Sequence, residues 1–171
     1  MNRDQLRAAQ QPLKDQYKLQ PDAALITLHA TGSLGDGVTC SVETGRALVR
    51  AGLHPATGGT GFAACSGDML LQALVACAGV TLNAVATSLG IDIRSGTLTA
   101  EGDLDFRGTL GVAKDVPVGF QRIRLVIALD TDASVDQRNK LLELTERYCV
   151  VYQTLVRSPG VTLTIRNPDA A

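Results

Sequence analysis

Four cysteines and two histidines are the residues of this 171-residue chain whose side chains could do chemistry outright. Cys40, Cys65, Cys77 and Cys149 form no CxxC pair, neither the doubled kind that holds zinc nor the single kind that cycles between dithiol and disulfide. His29 and His54 stand apart from each other and from grouped cysteines, so no metal is expected. Gly58-Gly59-Thr60-Gly61 lacks both the GxGxxG spacing and the Gly-Lys-Ser/Thr ending of phosphate-cradling loops, and reads as a flexible loop. No cofactor is expected either. What remains is either bland buried thiols, which are common, or reactive ones. Cys77 has Ala73, Leu74, Val80 and Thr81 as helical neighbours, which by itself is core packing. It lies too far along its helix to gain from that helix's dipole, so a thiolate there needs a cation from elsewhere, most plausibly an arginine. Cys149 follows Tyr148 and opens a short apolar turn, which puts it at a helix start, where backbone N–H groups favour a thiolate. Cys77 with His54 as an acyl-transfer pair has only the presence of both residue types in its favour.

The elements that must position these cysteines follow from periodicity and punctuation. Residues 3–18 carry Leu6, Leu13 and Tyr17 among polar residues, a weakly amphipathic helix interrupted by Pro12. Residues 24–30 read as a strand, Gly35-Asp36-Gly37 as a turn, and residues 38–42 and 46–53 as two more strands, an N-terminal meander. After the glycine loop, Ser66 is the expected N-cap and Gly90 the expected C-terminal stop of a helix that is apolar nearly all round. Such a helix is buried or in a membrane, and its alanine-rich make-up without a basic flank favours a central buried helix. Residues 91–106 read as a strand. Ile123, Leu125, Ile127 and Leu129 alternate as another, with Arg122, Arg124 and Ala128 outward. Ser134 and Gln137 form a capping box opening a second helix, which carries Leu141, Leu144 and Tyr148 on one face. Cys149 to Leu155 continues or restarts it, and Val161–Ile165 is a final strand. This order does not alternate strand and helix, so the expected class is α+β.

Composition bounds the partners. Sixteen basic and seventeen acidic residues give a net charge of −1, with no basic cluster, and there is no Trp. Nucleic-acid binding is not expected on either count. At 45% apolar the chain can bury one core. Residues 1–22 are expected to be a helical extension and 23–171 a single domain. The first twenty residues lack the apolar centre of a secretory signal, so the expected location is cytoplasmic, where cysteines are seldom permanent staples.

Two segments together carry a resemblance. Ser66-Gly67-Asp68-Met69-Leu70-Leu71-Gln72-Ala73-Leu74-Val75-Ala76-Cys77, closed by Leu89-Gly90-Ile91, resembles the central helix of the OsmC/Ohr family. Glu146-Arg147-Tyr148-Cys149-Val150-Val151-Tyr152-Gln153-Thr154-Leu155 resembles that family's second cysteine segment. The resemblance spans roughly residues 23–166. It implies an OsmC-like fold in which antiparallel sheets wrap long central helices in an entwined homodimer. It also implies thiol-dependent reduction of organic hydroperoxides, with Cys77 attacking, Cys149 resolving and a lipoyl-type dithiol as reductant.

The chain departs from the family pattern at three places. Ser66 and Gly67 stand where the family usually has Pro-Glu, so the carboxylate that normally holds the catalytic arginine is missing; Asp68 is half a turn away from the required side. The arginine itself is expected from the upstream β region, as Arg50 or else Arg46. Val150 stands where the family prefers proline, and Cys40 and Cys65 have no family role. These departures keep a second reading open, a non-catalytic protein of the same fold holding an apolar ligand at the dimer interface.

Overall fold

Ser66–Leu89 contains no proline and one charge, Asp68, and folds as a single 24-residue helix, about 36 Å long by the rise per residue. The computed structural model describes residues 2–20, 32–34, 39–43, 48–111 and 113–166. Its elements are α1 (Arg3–Leu19), β1 (Gly32–Leu34), β2 (Thr39–Glu43), β3 (Leu48–Gly52), a 3-10 turn at Pro55–Thr57, β4 (Ala64–Cys65) and α2 (Ser66–Leu89). After these come β5 (Ser95–Asp103), α3 (Phe106–Thr109), β6 (Arg122–Asp130), α4 (Val135–Tyr148) and α5 (Val150–Val156). Strands β1, β2 and β3 form the antiparallel meander, with β4 added parallel to β3. Strands β5 and β6 form a second, antiparallel pair over nine residues, from Ser95 opposite Asp130 to Asp103 opposite Arg122. The class is α+β.

Helix α2 is the hub, packed against β5, α4 and α5. Leu74, Ala78, Leu82 and Ala86 recur every fourth residue and form its buried stripe, which meets Leu141 of α4, Ile91, and Ile127 and Leu129 of β6. Within α2 only that stripe is fully buried; Met69, Leu71, Val75 and Val85 are half-buried, and Leu70, Val80 and Leu89 are exposed. The helix is long and apolar enough to cross a membrane, but here it packs as the core helix of a two-sheet fold.

Several expectations are met in detail. Gly90 ends α2 in the left-handed conformation at φ 71°, its N–H bonding back to Ala86 and Thr87. Ser134 and Gln137 form the reciprocal capping box. Others are corrected. Cys65, extended and without a side-chain cap bond, takes the N-cap of α2, and Ser66 is its first helical residue. Helix α1 runs through Pro12, since one proline costs a backbone rung without ending the ladder. Phe106 leaves the strand to open α3, because Asp105 accepts the Arg107 N–H as an N-cap. The strand expected over Val161–Ile165 is not found: among the described residues this segment joins neither sheet. The strand expected over residues 24–30 and the turn at residues 35–37 lie outside the described residues.

Candidate active site

The site forms where the middle of α2 meets the break between α4 and α5. Helix α4 stops at Tyr148, Cys149 turns extended (φ −73°, ψ 108°), and α5 restarts at Val150. A restart leaves the first N–H groups of the new helix without intrahelical partners. Two of these, from Val150 and Val151, are directed at the sulfur of Cys77. The Cys149 thiol and the Thr81 hydroxyl, one turn along α2 from Cys77, also bond to that sulfur. Cys77 is half-buried and Cys149 is 1% exposed; both are free thiols.

The electrostatics divide the pair. Burial pushes the Cys77 thiol up, but the bonds from Val151, Cys149, Val150 and Thr81 together outweigh it and hold the thiol below its ordinary value. Cys149 moves the other way. Burial raises it, against the Tyr152 N–H, and the neighbouring Cys77 sulfur raises it further. Of the two neighbours Cys77 is therefore the more acidic thiol and Cys149 the less acidic one, an asymmetry suited to thiol–disulfide chemistry.

The other sequence-derived candidates fall elsewhere. Arg50 is exposed on β3 opposite Ser41 and is not among the groups acting on Cys77 within the chain. Arg46 lies outside the described residues. Asp68 lines a surface groove with Leu71, Gln72 and Val75. His54 is engaged in its own loop: its Nδ1 accepts the Ala56 N–H, and its ring stacks on Phe106 at 4.9 Å, so it makes no pair with Cys77. Cys65 is half-buried at the start of α2, and Cys40 lies on β2. Thr81 and the two backbone N–H groups carried no chemical role in the sequence reading. Thr81 had a signal, its position one turn from Cys77, whereas a backbone donor has none. Among the described residues no group of three or more His, Cys, Asp or Glu side chains could hold a metal.

Two cavities flank the pair. One of about 450 Å³ lies between α1, α2 and α4, lined by Leu6, Thr81, Val85, Leu89, Leu144 and Tyr148 among others, so Thr81 faces both it and Cys77. The other, about 200 Å³, lies between β6 and α4–α5 and reaches Cys149.

A family profile described as OsmC-like protein matches residues 58–165, the span that contains both cysteine segments and α2 through α5. The chain belongs to the OsmC-like protein family. Solved structures agree on the OsmC-like fold. It is similar to an OsmC-like protein from Mycoplasma pneumoniae, at 18% identity and TM-score 0.65, covering 78% of this chain and 89% of that one. It is similar to an organic hydroperoxide resistance protein from Elizabethkingia anophelis, at 20% identity and TM-score 0.60, covering 79% and 91%. It is also similar to an OsmC-like protein of unknown function from Vibrio cholerae, at 14% identity and TM-score 0.55, covering 76% and 94%. No curated protein matches the sequence. At these identities the OsmC-like structures speak for the fold, and the chemistry has to come from the site.

Proposed function

We propose that this OsmC-like protein is a thiol-dependent peroxidase that reduces organic hydroperoxides through Cys77 and Cys149. The observation that carries the reading is the neighbouring pair in which the Cys77 thiol is held below its ordinary value and the Cys149 thiol above it. The Cys77 thiolate attacks the terminal peroxide oxygen; the O–O bond breaks, the alkoxide takes a proton and leaves as alcohol, and Cys77 becomes a sulfenic acid. The Cys149 sulfur then displaces hydroxide, which leaves as water with the Cys149 proton, and a Cys77–Cys149 disulfide forms. A lipoyl-type dithiol returns both cysteines to thiols by exchange. The apolar cavity beside Thr81 suits the alkyl part of the hydroperoxide. Likeness to hydroperoxide resistance proteins supports the substrate class.

A homodimer belongs to this reading, because the uncovered apolar surface of α2 and the unpaired 161–165 segment need a partner. A reducing compartment, the cytoplasm, is where the dithiol cycle runs. Arg50, which does not act on Cys77 within the chain, would reach it from such a partner or after a rearrangement of the meander. The same cavity also favours a second reading, capture of an apolar ligand without chemistry; a lowered Cys77 pKa weighs against it.

Kinetics of cumene hydroperoxide consumption with a dithiol reductant test the proposal. Cys77→Ser is expected to abolish consumption. Cys149→Ser is expected to keep the first oxidation but to accumulate sulfinic acid on Cys77 and stall. Undiminished consumption by Cys77→Ser would remove the peroxidase reading and leave ligand capture.

A further inference from the structure

Of the two cysteines only Cys149 lines one of the cavities flanking the pair; the larger one is bounded by Thr81, a neighbour of Cys77, and by neither cysteine. The smaller cavity, bounded by Leu125, Ile127, Leu142, Glu146 and Tyr152, touches Cys149 and does not touch Cys77. Cys149 is buried, and this cleft is the cavity that borders it, so a nucleophile would approach its sulfur from here.

We propose that this cleft is the docking site of the reducing dithiol, whose thiolate attacks the Cys149 sulfur of the disulfide and not that of Cys77. The inference rests on the peroxidase reading and adds which sulfur is attacked and from where. Displacement at a disulfide runs in line with the breaking bond, so a nucleophile aimed at Cys149 comes from the side away from Cys77. The S–S bond breaks toward Cys77, which leaves as a thiolate into the bonds from Val150, Val151 and Thr81. Attack on Cys77 instead would expel the Cys149 thiolate into its buried site. The more acidic thiol is the better leaving group, and that thiol is Cys77. The mixed disulfide on Cys149 is then cut by the second thiol of the reductant, which departs as a cyclic disulfide while Cys149 regains a proton. Two electrons and one proton pass to the protein, the dithiol's other proton having gone to solvent when its attacking thiolate formed. Apolar walls with one carboxylate, Glu146, fit a slim aliphatic dithiol carrying no negative charge near its sulfurs.

The test begins with wild-type protein oxidised by an equimolar amount of cumene hydroperoxide. The oxidised protein is mixed with the monothiol 2-mercaptoethanol, quenched with acid and mapped by mass. An adduct on Cys149 is expected; an adduct on Cys77 overturns the proposal while leaving the peroxidase reading intact. If no Cys77–Cys149 disulfide forms, both fall together. Leu142→Trp, at the half-exposed rim of the cleft, gives a second measurement. It is expected to slow reduction of the disulfide by dithiothreitol about tenfold while changing oxidation by cumene hydroperoxide less than about twofold. Unchanged reduction, or equal slowing of both half-reactions, overturns the cleft as the route.

Discussion

At the scale of the residue, a mid-helix cysteine acquires reactivity from another helix's beginning. Two backbone N–H groups and a threonine hydroxyl act on Cys77 where a guanidinium was expected. Val150 is informative here, because proline, preferred at this position in the family, has no N–H to offer. Val150→Pro is a clean perturbation. It falls on the first residue of α5, which accepts proline, and the preceding Cys149 is already extended, as a residue before proline must be. Unchanged circular dichroism is expected, with an upward-shifted Cys77 titration in ultraviolet thiolate absorbance. The oxidation rate at neutral pH should fall roughly tenfold, the worth of one hydrogen bond to a charged group. A rate equal to wild type would show that the Val150 N–H does not hold the thiolate. The wild-type oxidation rate should rise with pH as Cys77 loses its proton and level off at a lower pH than for an unperturbed thiol, whose value is 9.0, since Cys77 is lowered. A midpoint above that value would contradict the arrangement. Cys77 by itself reads as core packing in the sequence, and it was the resemblance of its segment and of the Cys149 segment to the OsmC/Ohr family that singled the two out. The donors were not legible there, since a backbone N–H aimed across the fold leaves no trace in residue identity.

At the scale of the element, α2 is held by one four-residue stripe meeting Leu141, so α4 is placed, and with it the Cys149 break, by few contacts. Leu141 is fully buried, and Leu141→Ala is expected to cost about 2–5 kcal/mol of stability, read as a lower denaturant midpoint. Ser134→Ala removes half of the capping box and should cost about 1 kcal/mol. A Leu141→Ala loss no larger than that of Ser134→Ala would mean the stripe does not anchor α4. The Ser134–Gln137 box and the Gly90 stop were readable because capping chemistry is local. The start of α2 at Cys65, the turn of Phe106 into a helix and the unpaired 161–165 segment depend on neighbours distant in sequence, and propensity alone misplaced each by a few residues or by a partner.

At the scale of the whole molecule, one chain leaves too much apolar surface open. Val80 is 73% exposed, and Val161, Leu163 and Ile165 are 88%, 94% and 88% exposed. Sedimentation is expected to give twice the chain mass, and Leu163→Asp to shift the equilibrium toward single chains; a wild-type monomer at micromolar concentration would contradict the dimer. The α+β class was legible from the order of periodic segments, whereas the incomplete burial of α2 was not, because an all-round apolar helix reads the same whether its own chain or a partner covers it. The most direct test of the central claim is intact mass with peptide mapping after cumene hydroperoxide is added to the reduced protein. The expected result is a loss of two hydrogens, mapped to a Cys77–Cys149 bridge. Both thiols remaining free and the mass unchanged would contradict the account.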